Sequence, residues 1–200
     1  MQQVTRSAGV LVSAAIVFLL ICGCAKAPDK QISDAKTALQ AAEQLEADNY
    51  MPEQYAKAAD AIDSAQAEIE NQSKAFPLTR KYTQAERYLD VALSLTDKMK
   101  SGVADAKEAM KTDVEAGITA VKEQLEATRA EVKKAPRSKV KDSLDEINGQ
   151  LDAAQGALEQ AETSIGEGNY YDADKKIGKA KKSLKKVSDM LSTGGAAGLM

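Results

Sequence analysis

Residues 138–170 read SKVKDSLDEINGQLDAAQGALEQAETSIGEGNY, and their periodicity decides the fold. Val140, Leu144, Ile147, Leu151, Ala154, Leu158, Ala161 and Ile165 recur at steps of four, three, four, three, four, three and four residues. That spacing puts every apolar side chain on one stripe of a helix, where a strand would alternate every second residue. Such a stripe is the seam of a coiled-coil-like helix. Ser138, just after Pro136, is placed as its N-cap. Gly166 and Gly168 supply the left-handed conformations that end helices at little cost. Beyond Asn169-Tyr170 the same steps resume at Ala173, Ile177, Ala180, Leu184, Val187 and Leu191. Two amphipathic helices joined by so short a turn pack as antiparallel neighbours.

Working outward, the pattern continues towards the N-terminus. No proline occurs between residues 78 and 134, and Ala85, Leu89, Ala92, Met99, Val103, Ala106, Met110, Val114, Gly117, Val121, Leu125 and Val132 sustain a near-heptad seam. A continuous helix of roughly 57 residues would span about 85 Å. Gly102 and Gly117, each costing up to about 1 kcal/mol relative to alanine, mark where it would bend or break. Pro77 ends the preceding helix and opens this one. That preceding helix begins with Pro52 at its first position and carries Tyr55, Ala58 or Ala59, Ile62, Ala65 and Ile69 as its stripe. A first helix over residues 31–48 is marked by Ile32, Ala35, Leu39, Ala42 and Leu45 or Glu46. Asn49-Tyr50 then joins the first helical pair as Asn169-Tyr170 joins the last, a weak internal repeat.

The expected fold class is therefore all-α: an elongated antiparallel bundle of coiled-coil-like hairpins, about five helices with a long middle helix. By segment, residues 31–100 hold the N-terminal alanine-rich hairpin and the start of the long helix. Residues 101–192 hold its end and the C-terminal hairpin, and 193–200 form a disordered tail. The chain has no Trp and no His. With helix formers throughout and few bulky side chains, its helices should be thin and closely packed.

The first residues carry one positive charge, Arg6, and then an uncharged run over 8–20 rich in Val, Leu, Ile and Ala. About 13 residues at about 1.5 Å rise give roughly 20 Å, short of the bilayer core of about 30 Å. A secretory signal over residues 1–23 is the better reading. It is followed by Ile21-Cys22-Gly23-Cys24, with an aliphatic residue three before a cysteine and a small one directly before it. This resembles the lipobox of bacterial lipoproteins. The resemblance implies that the Cys24 thiol is alkylated by a diacylglyceryl group and that the bond between Gly23 and Cys24 is then cleaved. Cys22 departs from the commonest residue at its place. It would leave with the signal, so a disulfide or metal pair with Cys24 is not expected.

By the rule for Gram-negative lipoproteins, an aspartate after the cysteine favours the inner membrane, whereas here Ala25 stands there. The implied location is the outer membrane, lipid-anchored on its periplasmic side, with residues 24–30 as tether. Loss of residues 1–23 removes Arg6 alone among the charged residues and leaves 26 basic against 30 acidic groups. A nucleic-acid binder would show a basic excess, so none is expected as partner.

Lipobox, tether and alanine-spaced helices together resemble a group of Gram-negative lipoproteins whose alanine-rich helical domain has no assigned function. The likeness rests on the first two helices and the Asn49-Tyr50-Met51-Pro52 turn between them. The major outer-membrane lipoprotein of enteric bacteria is a second comparison, but it ends in a lysine that is joined to peptidoglycan. This sequence ends Gly198-Leu199-Met200, so that covalent tether is not implied.

Two surface features stand out. Lys175, Lys176, Lys179, Lys181, Lys182, Lys185 and Lys186 give the last helix a basic face, a pattern attracted to anionic phospholipid, lipopolysaccharide or an acidic partner. The same lysines could instead flank the acidic preceding helix, at Asp142, Asp145, Glu146, Asp152, Glu159 and Glu162. Tyrosines at the helical turns read as plugs for the bundle ends, because a large ring fills space that alanines leave open. Without histidine, a free cysteine after lipidation, a phosphate loop or metal-ligand spacing, the reading is of a protein that is not an enzyme and has no metal or cofactor beyond the lipid on Cys24. The expected role is structural or interactive, with an envelope protein or a second copy as partner, since apolar seams left open invite one. A peptide or small ligand between the hairpins is the alternative.

Overall fold

A computed structural model describes residues 26–136 and 141–196, all as helix, turn or short connection. Among the described residues six α-helices follow one another: α1 Asp29–Gln44, α2 Ala47–Tyr50, α3 Pro52–Ser73, α4 Thr83–Lys134, α5 Leu144–Gly166 and α6 Tyr170–Ala196. Single 3-10 turns, Pro77–Thr79 and Lys141–Ser143, precede α4 and α5. The described chain is all-α and built of packed helical hairpins, as its periodicity predicts. The signal, Cys24 and the first part of the tether lie outside the described residues.

Contacts divide the described residues into two compact units that meet in sequence between Ser101 and Gly102. In the first, Ala35 of α1, Ala61, Ile62 and Ala65 of α3, and Ala85, Leu89 and Ala92 of α4 form one buried cluster. Five of these seven are alanines, so three helices close over two large aliphatic side chains, Ile62 and Leu89, of which Leu89 is fully buried. Burying such a side chain contributes about 2 kcal/mol. In the second unit the partners are α5, α6 and the C-terminal part of α4. Val114, Ile118, Val121 and Leu125 of α4 meet Ile147, Leu151 and Leu158 of α5 and Ile177, Leu184 and Val187 of α6. This core holds far more branched aliphatic volume than the first.

The long helix is thus more than a link between hairpins. It enters each unit as the third helix and fills the seam that each hairpin would otherwise leave open. It runs through Gly102 and Gly117 as one 52-residue helix. Gly117 faces α6, where a Cβ would lie 3.4 Å from Cδ1 of Ile177, an ordinary contact distance. Over residues 104–113 no side chain of α4 is fully buried. The seam itself contains Thr96 and Thr128, both buried, which sequence polarity hides. Each threonine satisfies its hydroxyl on its own helix, Thr96 on Leu93 O at 2.8 Å and Thr128 on Gln124 O at 2.8 Å.

Several expected boundaries move. The first helix does not reach residue 48, because Glu46 adopts φ 64°, the left-handed conformation that terminates a helix. The N–H groups of Leu45 and Glu46 turn back to Ala42 O and Glu43 O at 3.1 and 2.7 Å. Leu45 accordingly leaves the stripe and is 43% exposed. The helix also begins at Asp29, inside the expected tether, where its carboxylate complements the positive end of the helix dipole. Pro77 does not open the long helix; it opens a 3-10 turn, and α4 starts only at Thr83. Ser143, not Ser138, stands at the N-cap of α5; Ser138 and Val140 lie outside the described residues. Finally, α6 continues to Ala196, so the expected tail from residue 193 begins as helix. Residues 197–200 lie outside the described residues.

Candidate functional site

Of the residues singled out from sequence, Gly23 and Cys24 lie outside the described residues, and the seven lysines lie on α6. The helix buries Ala173, Ile177, Ala180, Leu184 and Val187. At 100° per residue, Lys175, Lys179, Lys182 and Lys186 fall on the side opposite that stripe, with Lys181 and Lys185 beside them. Six of the seven lysines are exposed and Lys176 is half-buried. Their pairing is local to α6: Lys176 reaches Asp172 at 2.5 Å and Lys185 reaches Asp189 at 4.0 Å, each four residues apart. Among the described residues no ion pair joins an α6 lysine to a carboxylate of α5. Lys175 lies over the ring of Tyr171 at 4.1 Å, close enough for a cation–π contact.

The half-buried lysine belongs to a small polar cluster at the α5–α6 turn that the sequence reading missed. Gly168, at φ 76°, reverses the chain, and the N–H groups of Gly168 and Asn169 bond to Ile165 O and Ser164 O at 2.9 and 2.8 Å. Asn169 Oδ1 then accepts from the N–H of Asp172 at 3.0 Å and caps α6. Buried Ser164 lies 2.7 Å from Asp172 Oδ2 and accepts from Lys176 Nζ at 2.9 Å. Hydrogen bonds from Lys176 and then from Ser164 hold the Asp172 carboxyl below its ordinary value, because both favour the charged form. This cluster locks the hairpin closed. Lys122 of α4 pairs with Glu162 of α5 across the same unit, both about half exposed, so its contribution is about 0–1 kcal/mol.

The tyrosines divide: Tyr170 and Tyr171 at the α5–α6 turn are only half-buried, whereas those of the first unit include buried rings near helix ends. Tyr50 is buried in the short α2 between α1 and α3, and Tyr82 is buried just ahead of α4. Tyr88 packs against the first cluster. Tyr55 has its hydroxyl raised above its ordinary value, first by burial and then by the charge of Glu43. Surface grooves within the units are shallow and follow helix pairs. One of about 320 Å³ runs between α1 and α3 beside Leu39 and Ile62, and another of about 620 Å³ between α4 and α5 beside Arg129 and Asp152. No tyrosine lines either.

Among the described residues no group of three His, Cys, Asp or Glu is placed to hold a metal ion, and no helix is long and apolar enough to cross a membrane. Compared with known protein families, curated proteins and solved structures, the chain matches none.

Proposed function

We propose that the chain is a lipid-anchored protein of the cell envelope, cut between Gly23 and Cys24 and held by acyl groups on Cys24. It faces the periplasm from the outer membrane, and its helical units serve a structural or protein-interaction role. The observation that carries this reading is Ile21-Cys22-Gly23-Cys24 directly after the uncharged run over residues 8–20. A thiolate is the nucleophile that alkylation requires, and Gly23 leaves room for a peptidase at the next bond. Each buried methylene contributes about 0.8 kcal/mol, so one acyl chain holds weakly and two or three hold almost permanently. The test is Cys24→Ala in a Gram-negative host. The variant should remain uncut and take up no labelled palmitate. Maturation and membrane partitioning like the parent's would overturn the reading.

A partner for this protein would meet the outer faces of the units, because the apolar seams are consumed within them. The lysine row on α6 favours a second reading, contact with anionic lipid or lipopolysaccharide. It predicts vesicle binding that weakens as salt rises and is lost on Lys→Gln changes at Lys181, Lys182, Lys185 and Lys186. Binding insensitive to salt and to these changes would remove it.

A further inference from the structure

Large apolar side chains are exposed most fully at one place among the described residues. Phe76 is 67% exposed and Leu78 is 69% exposed, on either side of Pro77 in the connection from α3 to α4. The connection is held in shape by bonds that leave both side chains in water. Thr79 donates to Phe76 O through its N–H at 2.9 Å and its hydroxyl at 2.8 Å. Arg80 bridges Ala75 O and Ser73 O at 3.1 and 2.8 Å, which also caps the end of α3. The N–H of Lys81 reaches Gln72 Oε1 at 3.0 Å. A turn braced at so many points presents its apolar tip at a fixed angle.

The tip lies at a particular end of the first unit. Because α1 and α3 run antiparallel, Ile32 in the first turn of α1 lines the same groove as Ile69, Glu70 and Ser73 at the end of α3. The start of α1 and the Phe76-Pro77-Leu78 turn therefore share one end, and α1 is the helix that follows Cys24. Four residues lie between Cys24 and Asp29, so five Cα steps join them, at most about 18 Å of extended chain whatever its path. Cations gather there too: Lys26 and Lys30 precede or open α1, and Lys74, Arg80 and Lys81 flank the tip. Facing them are Asp29, Asp34, Glu68 and Glu70, with Lys30–Asp34 and Lys74–Glu70 paired at 2.7 and 2.9 Å and Glu68 accepting from Gln72 at 2.8 Å. The Lys74 ammonium holds the Glu70 carboxyl below its ordinary value, so it stays charged. Glu86 and Arg87 in the first turns of α4 cancel. Five cations against four carboxylates leave this end a small basic excess around an apolar point.

We infer that Phe76 and Leu78 insert into the interfacial layer of the phospholipid bilayer that holds Cys24, with the surrounding cations on its anionic headgroups. The inference rests on the lipid anchor proposed above and adds to it a second point of contact. An acyl-bearing cysteine on a short tether leaves the protein free to swivel. A rigid apolar tip beside it fixes which end of the first unit lies on the membrane. An aromatic ring and a leucine favour the headgroup–acyl boundary, and nearby Lys and Arg gain from anionic lipid.

The sequence has no tryptophan, so Phe76→Trp introduces a single indole, excited selectively over the six tyrosines, at an exposed position outside the core. The mature lipidated protein would be reconstituted into vesicles of phosphatidylethanolamine and phosphatidylglycerol, with and without bromine on the acyl chains. Leu45→Trp, in the turn at the opposite end of the same unit, is the reference. Emission from Phe76→Trp should shift to the blue and be quenched severalfold by bromolipid, while Leu45→Trp stays unquenched. Equal quenching at the two positions overturns the inference. A blue shift without bromine quenching also overturns it, since the tip then packs on protein, either a second copy or a partner. Mass measurement of Cys24 in the same preparation separates the two claims. An acylated protein with an unquenched tip keeps the anchor and loses the insertion, and a quenched tip on an unacylated protein does the reverse.

Discussion

Gly117 offers a sharp test of how closely α4 and α6 pack. A Cβ built there meets Cδ1 and Cγ2 of Ile177 at 3.4 and 3.6 Å, ordinary contact at the tight end of the range. Alanine therefore fits without displacing Ile177. It should also recover about 1 kcal/mol of helix propensity, part of it by restricting the unfolded chain. Gly117→Ala is thus expected to stabilise the protein by about 1 kcal/mol. Gly156, with nothing within 4 Å of its Cβ position, isolates the propensity contribution, and Gly156→Ala should gain a similar amount. Gly117→Leu differs in sign: Ile177 is 2% exposed and has nowhere to retreat, so overpacking should cost about 1–3 kcal/mol. Urea unfolding followed by far-ultraviolet circular dichroism measures all three. If Gly117→Ala destabilises while Gly156→Ala stabilises, the helices are closer than described and the contact with Ile177 is a clash.

The remaining expectations concern the second unit. Leu184, fully buried, should cost about 2–5 kcal/mol as Leu184→Ala through lost transfer energy and the cavity left behind, read from the same urea curves. Gly168→Ala forces a side chain into φ 76° and should cost about 1 kcal/mol, seen as a lower unfolding midpoint. Asp172 has its folded pKa depressed, so its contribution is present above its unfolded value, near the ordinary aspartate range, and is lost as pH falls through the lower folded value. Asp172→Asn should flatten that acid-side fall in stability, and an unaltered pH profile would show that the bonds to Lys176 and Ser164 contribute nothing.

Periodicity was enough to place α5 and α6, because Leu151, Ala154, Leu158 and their counterparts from Ala173 to Val187 are both apolar and buried. It fails where burial and polarity part company. Thr96 and Thr128 sit in the seam of α4 because a hydroxyl bonded to its own helix tolerates burial, which a hydropathy pattern scores as an interruption. Gly117 falls on the heptad spacing, yet the neighbouring Ile118 is the residue that fills the core, while the glycine only lies against Ile177. The end of α1 was illegible for a different reason: the left-handed residue is Glu46, where a sequence signal would need Gly or Asn. The polar cluster at Ser164 joins residues eight and twelve apart across a turn, a spacing that no helical repeat brings together. The role of α4 as third helix of both units was missed because an apolar stripe does not say which hairpin covers it.

That last point changes where recognition must occur. An alanine-rich seam left open would bind through apolar area, with little dependence on salt and a bias towards another helix. Once Leu89 closes one seam and Val114, Val121 and Leu125 close the other, the outer faces are dominated by Lys, Glu, Asp and Gln. Contacts made through such faces draw on long-range charge, which screens over about 8–10 Å at ordinary ionic strength. They should form quickly and loosen with added salt. The Phe76-Pro77-Leu78 turn is the exception among the described residues, since Phe76 and Leu78 would add apolar area whose contribution survives salt, beside cations whose contribution does not. The component of vesicle binding that persists at high ionic strength after the acyl chains are removed therefore belongs to Phe76 and Leu78. The component that disappears is shared by the lysine row on α6 and the cations around the turn, and Lys→Gln changes at Lys181, Lys182, Lys185 and Lys186 remove only the first share.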